Sequence, residues 1–83
     1  MIIMYTSNWC GYCTAAKNLL KDLNLEFEEV NIEEKNISRN DLLELSGGYT
    51  IPQISINGKF IGGFQELQNL YQNNKLIDLI NDE

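Results

Sequence analysis

Met1-Ile2-Ile3-Met4-Tyr5-Thr6-Ser7-Asn8-Trp9-Cys10-Gly11-Tyr12-Cys13 carries an apolar run into the chain's only two cysteines, three positions apart. Ile2–Thr6 reads as a strand and Ser7-Asn8-Trp9 as the loop that follows. Residues 14–23 read as a helix, because Ala15, Ala16, Leu19, Leu20 and Leu23 recur at helical spacing. Cys10 therefore stands at a strand-to-helix junction, where unpaired backbone N–H groups and the helix dipole favour negative charge. Such a position lowers the pKa of a cysteine and raises its thiolate fraction at neutral pH. A second thiol one turn later can reach the first, since a disulfide needs Cα atoms about 4.4–6.8 Å apart. The pair reads as a dithiol/disulfide switch, with Cys10 the nucleophile and Cys13 the resolving thiol. The bland alternative is two small hydrophobes packed by chance. A tetrahedral zinc site needs four ligands, and two cysteines without any histidine do not supply them.

The rest of the composition narrows the class. Residues 1–83 are read as one small domain that buries about 60–65% of its extended surface around a single core. With 43% hydrophobic residues and a mean hydropathy of -0.27, the composition is that of a globular chain. No window approaches the roughly 18 apolar residues of a membrane span, and the apolar start lacks the basic flank of a signal peptide. The expected compartment is the cytoplasm, where a C-x-x-C pair is more often redox-active than structural. Six basic residues stand against twelve acidic ones, net -6, and the cations are scattered singly, so neither nucleic acid nor membrane is an expected partner. Without histidine, proton transfer at neutral pH falls to thiols or water.

Outward from the cysteines, residues 26–32 read as a second strand whose Glu26, Glu28 and Glu29 suit a charged edge. Ser38-x-x-Asp41 opens a second helix with a near capping box, Leu42, Leu43 and Leu45 supply its buried face, and Gly47-Gly48 ends it. Gln53–Ile56 and residues 59–61 are short strands joined by Asn57-Gly58, a strong hairpin dipeptide. Gly62-Gly63 turns the chain into a third helix with Leu67, Leu70 and Tyr71 on its apolar face, and residues 76–80 form a last helical piece. The predicted order is β-α-β-α-β-β-α: an α/β fold with a four-stranded mixed sheet flanked by helices. Its first two strands are expected to be parallel and its last two antiparallel.

Three further features bear on chemistry. Pro52, the only proline, opens a strand in trans or presents the Ile51 backbone beside the thiol in cis; the residues alone leave both open. Gly62-Gly63-Phe64-Gln65-Glu66 is a flexible turn or an anion site, its helix-start amides at Phe64 and Gln65 able to hold a carboxylate. Tyr12 reads as a partly exposed ring shielding the thiols, Trp9 as either core or hydrophobic rim, and Glu33-Glu34 as a solvated charge pair.

Taken together, Cys10-Gly11-Tyr12-Cys13, Thr50-Ile51-Pro52 and Gly62-Gly63-Phe64-Gln65-Glu66-Leu67 resemble a glutaredoxin over residues 2–79, with matching spacing between the three motifs. The resemblance implies a thioredoxin fold. It also implies reduction of protein disulfides and glutathione mixed disulfides by glutathione, itself regenerated from NADPH by glutathione reductase. Cys10 matches the family's nucleophile, Cys13 its resolving cysteine and Pro52 its cis-proline. Ile51 would pair its backbone with the cysteinyl unit of glutathione, beside Tyr12. The amides of the Gly63, Phe64, Gln65 turn would take the γ-glutamyl carboxylate, and Arg39, eleven positions before Thr50, the glycyl carboxylate. The site departs from the commonest pattern in having Ser7 for a lysine and Gly48 and Tyr49 before the Thr-x-Pro, so it is less cationic than usual, and in having Gly11 for the proline after the first cysteine, which frees the loop and opens space at the nucleophile.

The resemblance also frames the alternatives. One is a dimer bridging a [2Fe-2S] cluster through Cys10 of each chain and two glutathiones. The other is a carrier reduced by thioredoxin reductase that serves ribonucleotide reductase, against which Arg39 and the Gly-Gly helix start argue. The expected enzyme is a monomer acting with glutathione on disulfide-containing or glutathionylated proteins.

Overall fold

Strict alternation makes Ile2, Met4 and Thr6 the buried side of β1 (Ile2–Thr6), which lies inside a four-stranded sheet in a computed structural model describing residues 1–82. The chain then forms α1 (Gly11–Asp22), β2 (Glu28–Asn31), α2 (Arg39–Ser46), β3 (Gln53–Ile56), β4 (Lys59–Gly62), α3 (Phe64–Gln72) and α4 (Leu76–Asn81). The sheet order is β2-β1-β3-β4. β2 runs parallel to β1, which the α1 crossover permits, while β1/β3 and β3/β4 are antiparallel. The expected element order and mixed sheet are observed.

On one face Ile2 and Met4 of β1 meet Ile54 and Ile56 of β3, covered by Ala16 and Leu20 of α1, Leu67 of α3 and Leu76 of α4. β3 is buried along its whole length, so its polar residues need partners; Gln53 Nε2 donates to the Thr50 carbonyl at 2.9 Å and to its hydroxyl at 3.0 Å. Asn57 and Gly58 both have positive φ, 51° and 87°, the pairing that a two-residue turn matched to strand twist requires. Asn57 also donates its amide to the carbonyls of Leu79, Ile80 and Asp82, tying the β3–β4 hairpin to the end of α4.

The differences from the sequence reading have local causes. α1 starts at Gly11, three residues before the expected Thr14, because Cys10 acts as its N-cap: the sulfur accepts the Cys13 N–H at 3.1 Å, as a serine or aspartate oxygen would. β2 spans Glu28–Asn31 rather than 26–32. Phe27 is drawn onto the core cluster before the strand begins, and Ile32 leaves the strand although its N–H still bonds the Thr6 carbonyl at 2.8 Å. β4 runs one residue further, to Gly62, which pairs with Ile54 across a register irregularity. In α2, steps of about 100° per residue put Leu43 and Leu45 on opposite flanks of Leu42, so Leu42 is fully buried and Leu45 is exposed. Tyr71 is likewise exposed, although the helical spacing puts it on the apolar face of α3. The Ser38–Asp41 capping box forms in both directions, at 3.0 and 3.1 Å.

Candidate active site

Cys10 and Cys13 form a disulfide with Cα atoms 5.2 Å apart. Their accessibilities differ sharply: Cys13 is 2% exposed inside α1, whereas Cys10 is only partly buried at the helix start. The Cys13 N–H aimed at the Cys10 sulfur, at the positive end of α1, stabilises negative charge there when the disulfide opens. Cys10 thus has the access and electrostatics of an attacking sulfur, and Cys13 those of an internal one.

The Ile51–Pro52 bond is cis, the form the family resemblance implied. Cys10 Sγ lies 3.8 Å from the Ile51 carbonyl oxygen. Both border a cleft of about 680 Å³ that is also lined by Tyr12, Arg39, Pro52, Gly63, Phe64 and Gln65. Every residue expected to touch glutathione is therefore on one cleft; Cys13 is behind it. Tyr12 is exposed at 69%, and its ring centroid lies 6.2 Å from that of Phe64. Trp9, left open by the sequence, is fully exposed on the rim. The N–H groups of Phe64 and Gln65 have no partner among the described residues. Arg39 donates to the Tyr49 carbonyl at 2.9 Å and forms no ion pair among the described residues.

Some cleft residues were missed in the sequence. Glu66 accepts the Gly63 N–H at 2.7 Å and lines the cleft; the three-residue spacing of a capping box was its available signal. Glu33 is exposed, as expected of a solvated charge, but its carboxylate also accepts the Asn8 N–H. Asn31 donates to Asn8 Oδ1 at 3.0 Å and accepts the Glu33 and Glu34 N–H groups at 3.0 and 3.2 Å. Together they hold the loop ahead of Cys10. No spacing rule reveals that latch, since it joins residues more than twenty positions apart.

Gly63 packs against the Pro52 loop so closely that a Cβ would lie 3.0 Å from the Pro52 carbonyl oxygen. Both partners are backbone, so neither can move as a side chain would. Gly63→Ala is expected to cost about 1–3 kcal/mol, as overpacking does, and to appear as a lowered melting temperature.

Behind the disulfide, a smaller cleft of about 540 Å³ reaches Cys13 and is bordered by Thr14, Lys17, Glu29 and Asn31. Thr6 Oγ1 donates to Glu29 at 2.8 Å, and Lys17 Nζ lies 3.1 Å from the same carboxylate oxygen. The Thr6 bond first, then Lys17 against partial burial, holds the Glu29 carboxyl below its ordinary value of 4.5. A depressed folded value stabilises the protein above the unfolded one, and that contribution is lost as pH falls through the folded value. Glu29→Gln is therefore expected to flatten the acid limb of stability. Urea midpoints at pH 7 and pH 3 should fall further for the wild type than for the variant.

The glutaredoxin family model matches residues 2–61. The glutaredoxin of Pseudomonas aeruginosa is 35% identical over 79 residues, covering 95% of this chain and 94% of that protein. Mitochondrial glutaredoxin-2 of Pongo abelii is 34% identical over 82 residues; the alignment covers 95% of this chain but 51% of that protein. The chain likewise spans about half the length of the human and bovine counterparts, 50% and 52%. Among solved structures, a buckwheat glutaredoxin–glutathione complex superposes with a TM-score of 0.87 at 24% identity, covering 98% of this chain and 76% of that one. The sequence match, the cysteine pair and the superposed sheet agree: this chain belongs to the glutaredoxin family.

Proposed function

We propose that the chain is a glutathione-dependent thiol–disulfide oxidoreductase working as a monomer in the cytoplasm. The observation that carries this reading is the convergence on one cleft of a partly accessible sulfur, the Ile51 backbone, two helix-start amides without a partner among the described residues and a guanidinium that forms no ion pair among them. Glutathione has a central thiol and a carboxylate near each end. Its sulfur would face Cys10 and its cysteinyl backbone Ile51, with Tyr12 and Pro52 alongside. Its γ-glutamyl carboxylate would meet the Gly63, Phe64 and Gln65 turn, and its glycyl carboxylate Arg39.

In the first step the Cys10 thiolate attacks the glutathione sulfur of a mixed disulfide. A Cys10–glutathione bond forms, and the released protein thiolate takes a proton from water. A second glutathione thiolate then attacks the glutathione sulfur on Cys10, giving glutathione disulfide and restoring the Cys10 thiolate. With a protein disulfide, Cys10 first becomes linked to the protein. Cys13 then attacks Cys10 Sγ, releasing the second protein thiol and closing the Cys10–Cys13 disulfide, which two glutathiones reduce. Disulfide-containing and glutathionylated proteins, ribonucleotide reductase among them, are the proposed partners.

A bridged [2Fe-2S] cluster would take one thiolate, Cys10, from each of two chains. Closing the disulfide with buried Cys13 removes that ligand. The disulfide chemistry is therefore the preferred reading.

The test is NADPH consumption coupled through glutathione reductase, with a small glutathione mixed disulfide as substrate. An inactive wild type would overturn the reading. In the same assay Arg39→Ala is expected to raise KM by roughly 3–10-fold with kcat little changed, the scale of one exposed charge-assisted contact. An unchanged KM would remove the guanidinium from the binding site.

A further inference from the structure

Trp9 is the chain's only tryptophan, fully exposed, with its backbone in the left-handed region at φ 59°. A single exposed apolar side chain is ordinary. A bulky residue in that backbone region is not, and it persists only where its surroundings impose it. Here they do. On one side the Asn8 N–H bonds the Glu33 carboxylate, and Asn31 holds Asn8 Oδ1 at 3.0 Å. On the other side Cys10 is fixed as the cap of α1. The ring is thus held out in water beside the reacting sulfur, bordering both the main cleft and the smaller one behind the disulfide.

Any protein whose disulfide reaches Cys10 must cover this ring, whereas a small disulfide need not. The charges around it are unequal. Lys17 is neutralised by Glu29, which leaves Arg39 as the cation of the cleft. Glu33 at the Asn8 loop and Glu66 in the cleft wall are carboxylates without a cationic partner among the described residues, in a chain of net charge -6. An indole that shares its cleft with the Glu66 carboxylate, and whose loop is bonded by the Glu33 carboxylate, suits a lysine or arginine side chain, through cation–π contact and charge attraction together.

We propose that Trp9 is a specificity residue for protein substrates: its ring receives the cationic segment flanking the substrate's disulfide-bonded cysteine. The inference rests on the thiol–disulfide chemistry proposed above and leaves its bond-making steps unchanged.

The test compares three glutathionylated substrates in the coupled assay: cysteine, a peptide with lysines on both sides of its cysteine, and the same peptide with glutamates there. Trp9→Ala is expected to raise KM for the lysine peptide about tenfold with kcat unchanged, and to leave glutathionylated cysteine within about twofold. Trp9→Phe should recover part of the loss. Because the chain has one tryptophan, binding is also read directly. In Cys10→Ser, which cannot react, the lysine peptide should shift the tryptophan emission at concentrations where the glutamate peptide does not. Equal losses on all three substrates, no loss on any, or equal binding of the two peptides would each overturn the proposal. Should the wild type fail to turn over glutathionylated cysteine, the glutathione reading falls, while the emission titration still decides the role of Trp9.

Discussion

Cys10→Ser is expected to lose at least about a thousandfold in glutathione-dependent reduction of a small mixed disulfide, whereas Cys13→Ser keeps its rate within roughly threefold. The asymmetry follows from burial. A serine hydroxyl is not ionised at neutral pH and forms no disulfide, so Cys10→Ser has no group at the cleft able to accept glutathione. Cys13, at 2% exposure, cannot replace it, because its side chain is enclosed in α1 and presents almost no surface to a substrate disulfide. Cys13→Ser removes only the internal attack. The bond that stabilises negative charge on Cys10 comes from the backbone N–H of residue 13, which a serine retains. The second glutathione attacks from the cleft side and never meets position 13. Reduction of a protein disulfide should behave differently, since Cys13 releases that product, and Cys13→Ser is expected to slow it by about tenfold or more. Intact mass measurement under turnover should show Cys13→Ser carrying one glutathione and Cys10→Ser carrying none. An active Cys10→Ser with a dead Cys13→Ser would reverse the assigned roles.

The same residues show what the sequence could and could not disclose. The hairpin at Asn57-Gly58 and the capping box at Ser38-Asp41 were legible because each is a rule about residues two or three apart, and each forms as read. The site was legible for another reason: three short motifs, separated by long stretches of chain, resemble one family in order and spacing, the family model spans the first two, and residues of all three border one cleft. The start of α1 was not legible, because its cap is a sulfur and cysteine is not among the strong N-cap residues. Nor was the state of Trp9, which depends on a latch from Asn31 and Glu33, side chains that no local pattern links to the loop.

Faces of helices were read least well, and α3 shows why. Leu67, Leu70 and Tyr71 share a helical stripe, but only Leu67 is wholly enclosed; Leu70 packs at the edge of the core and Tyr71 is exposed. The stripe identifies a side of the helix, while the depth of each residue depends on where neighbouring elements end. Leu67→Ala is expected to destabilise by about 2–5 kcal/mol, since a fully buried leucine leaves both lost burial and a cavity. For a domain of this size, with total stability of roughly 4–12 kcal/mol, that leaves a marginal fold. At about 4–8 °C per kcal/mol, the melting temperature should fall by roughly 8–40 °C. Tyr71→Ala, one turn away, should change stability by less than about 0.5 kcal/mol. Thermal melts and urea midpoints of the two variants decide between the stripe and the structure. The stripe requires comparable losses, while the observed burial requires a several-fold difference with the larger loss at Leu67. The same loss bears on the cleft, because Leu67 anchors the helix whose first amides, at Phe64 and Gln65, face the proposed glutathione carboxylate, and the Leu67 N–H bonds the Gly63 carbonyl at 3.1 Å. Leu67→Ala should therefore also raise KM for the glutathione mixed disulfide at temperatures where it is still folded, and Tyr71→Ala should not.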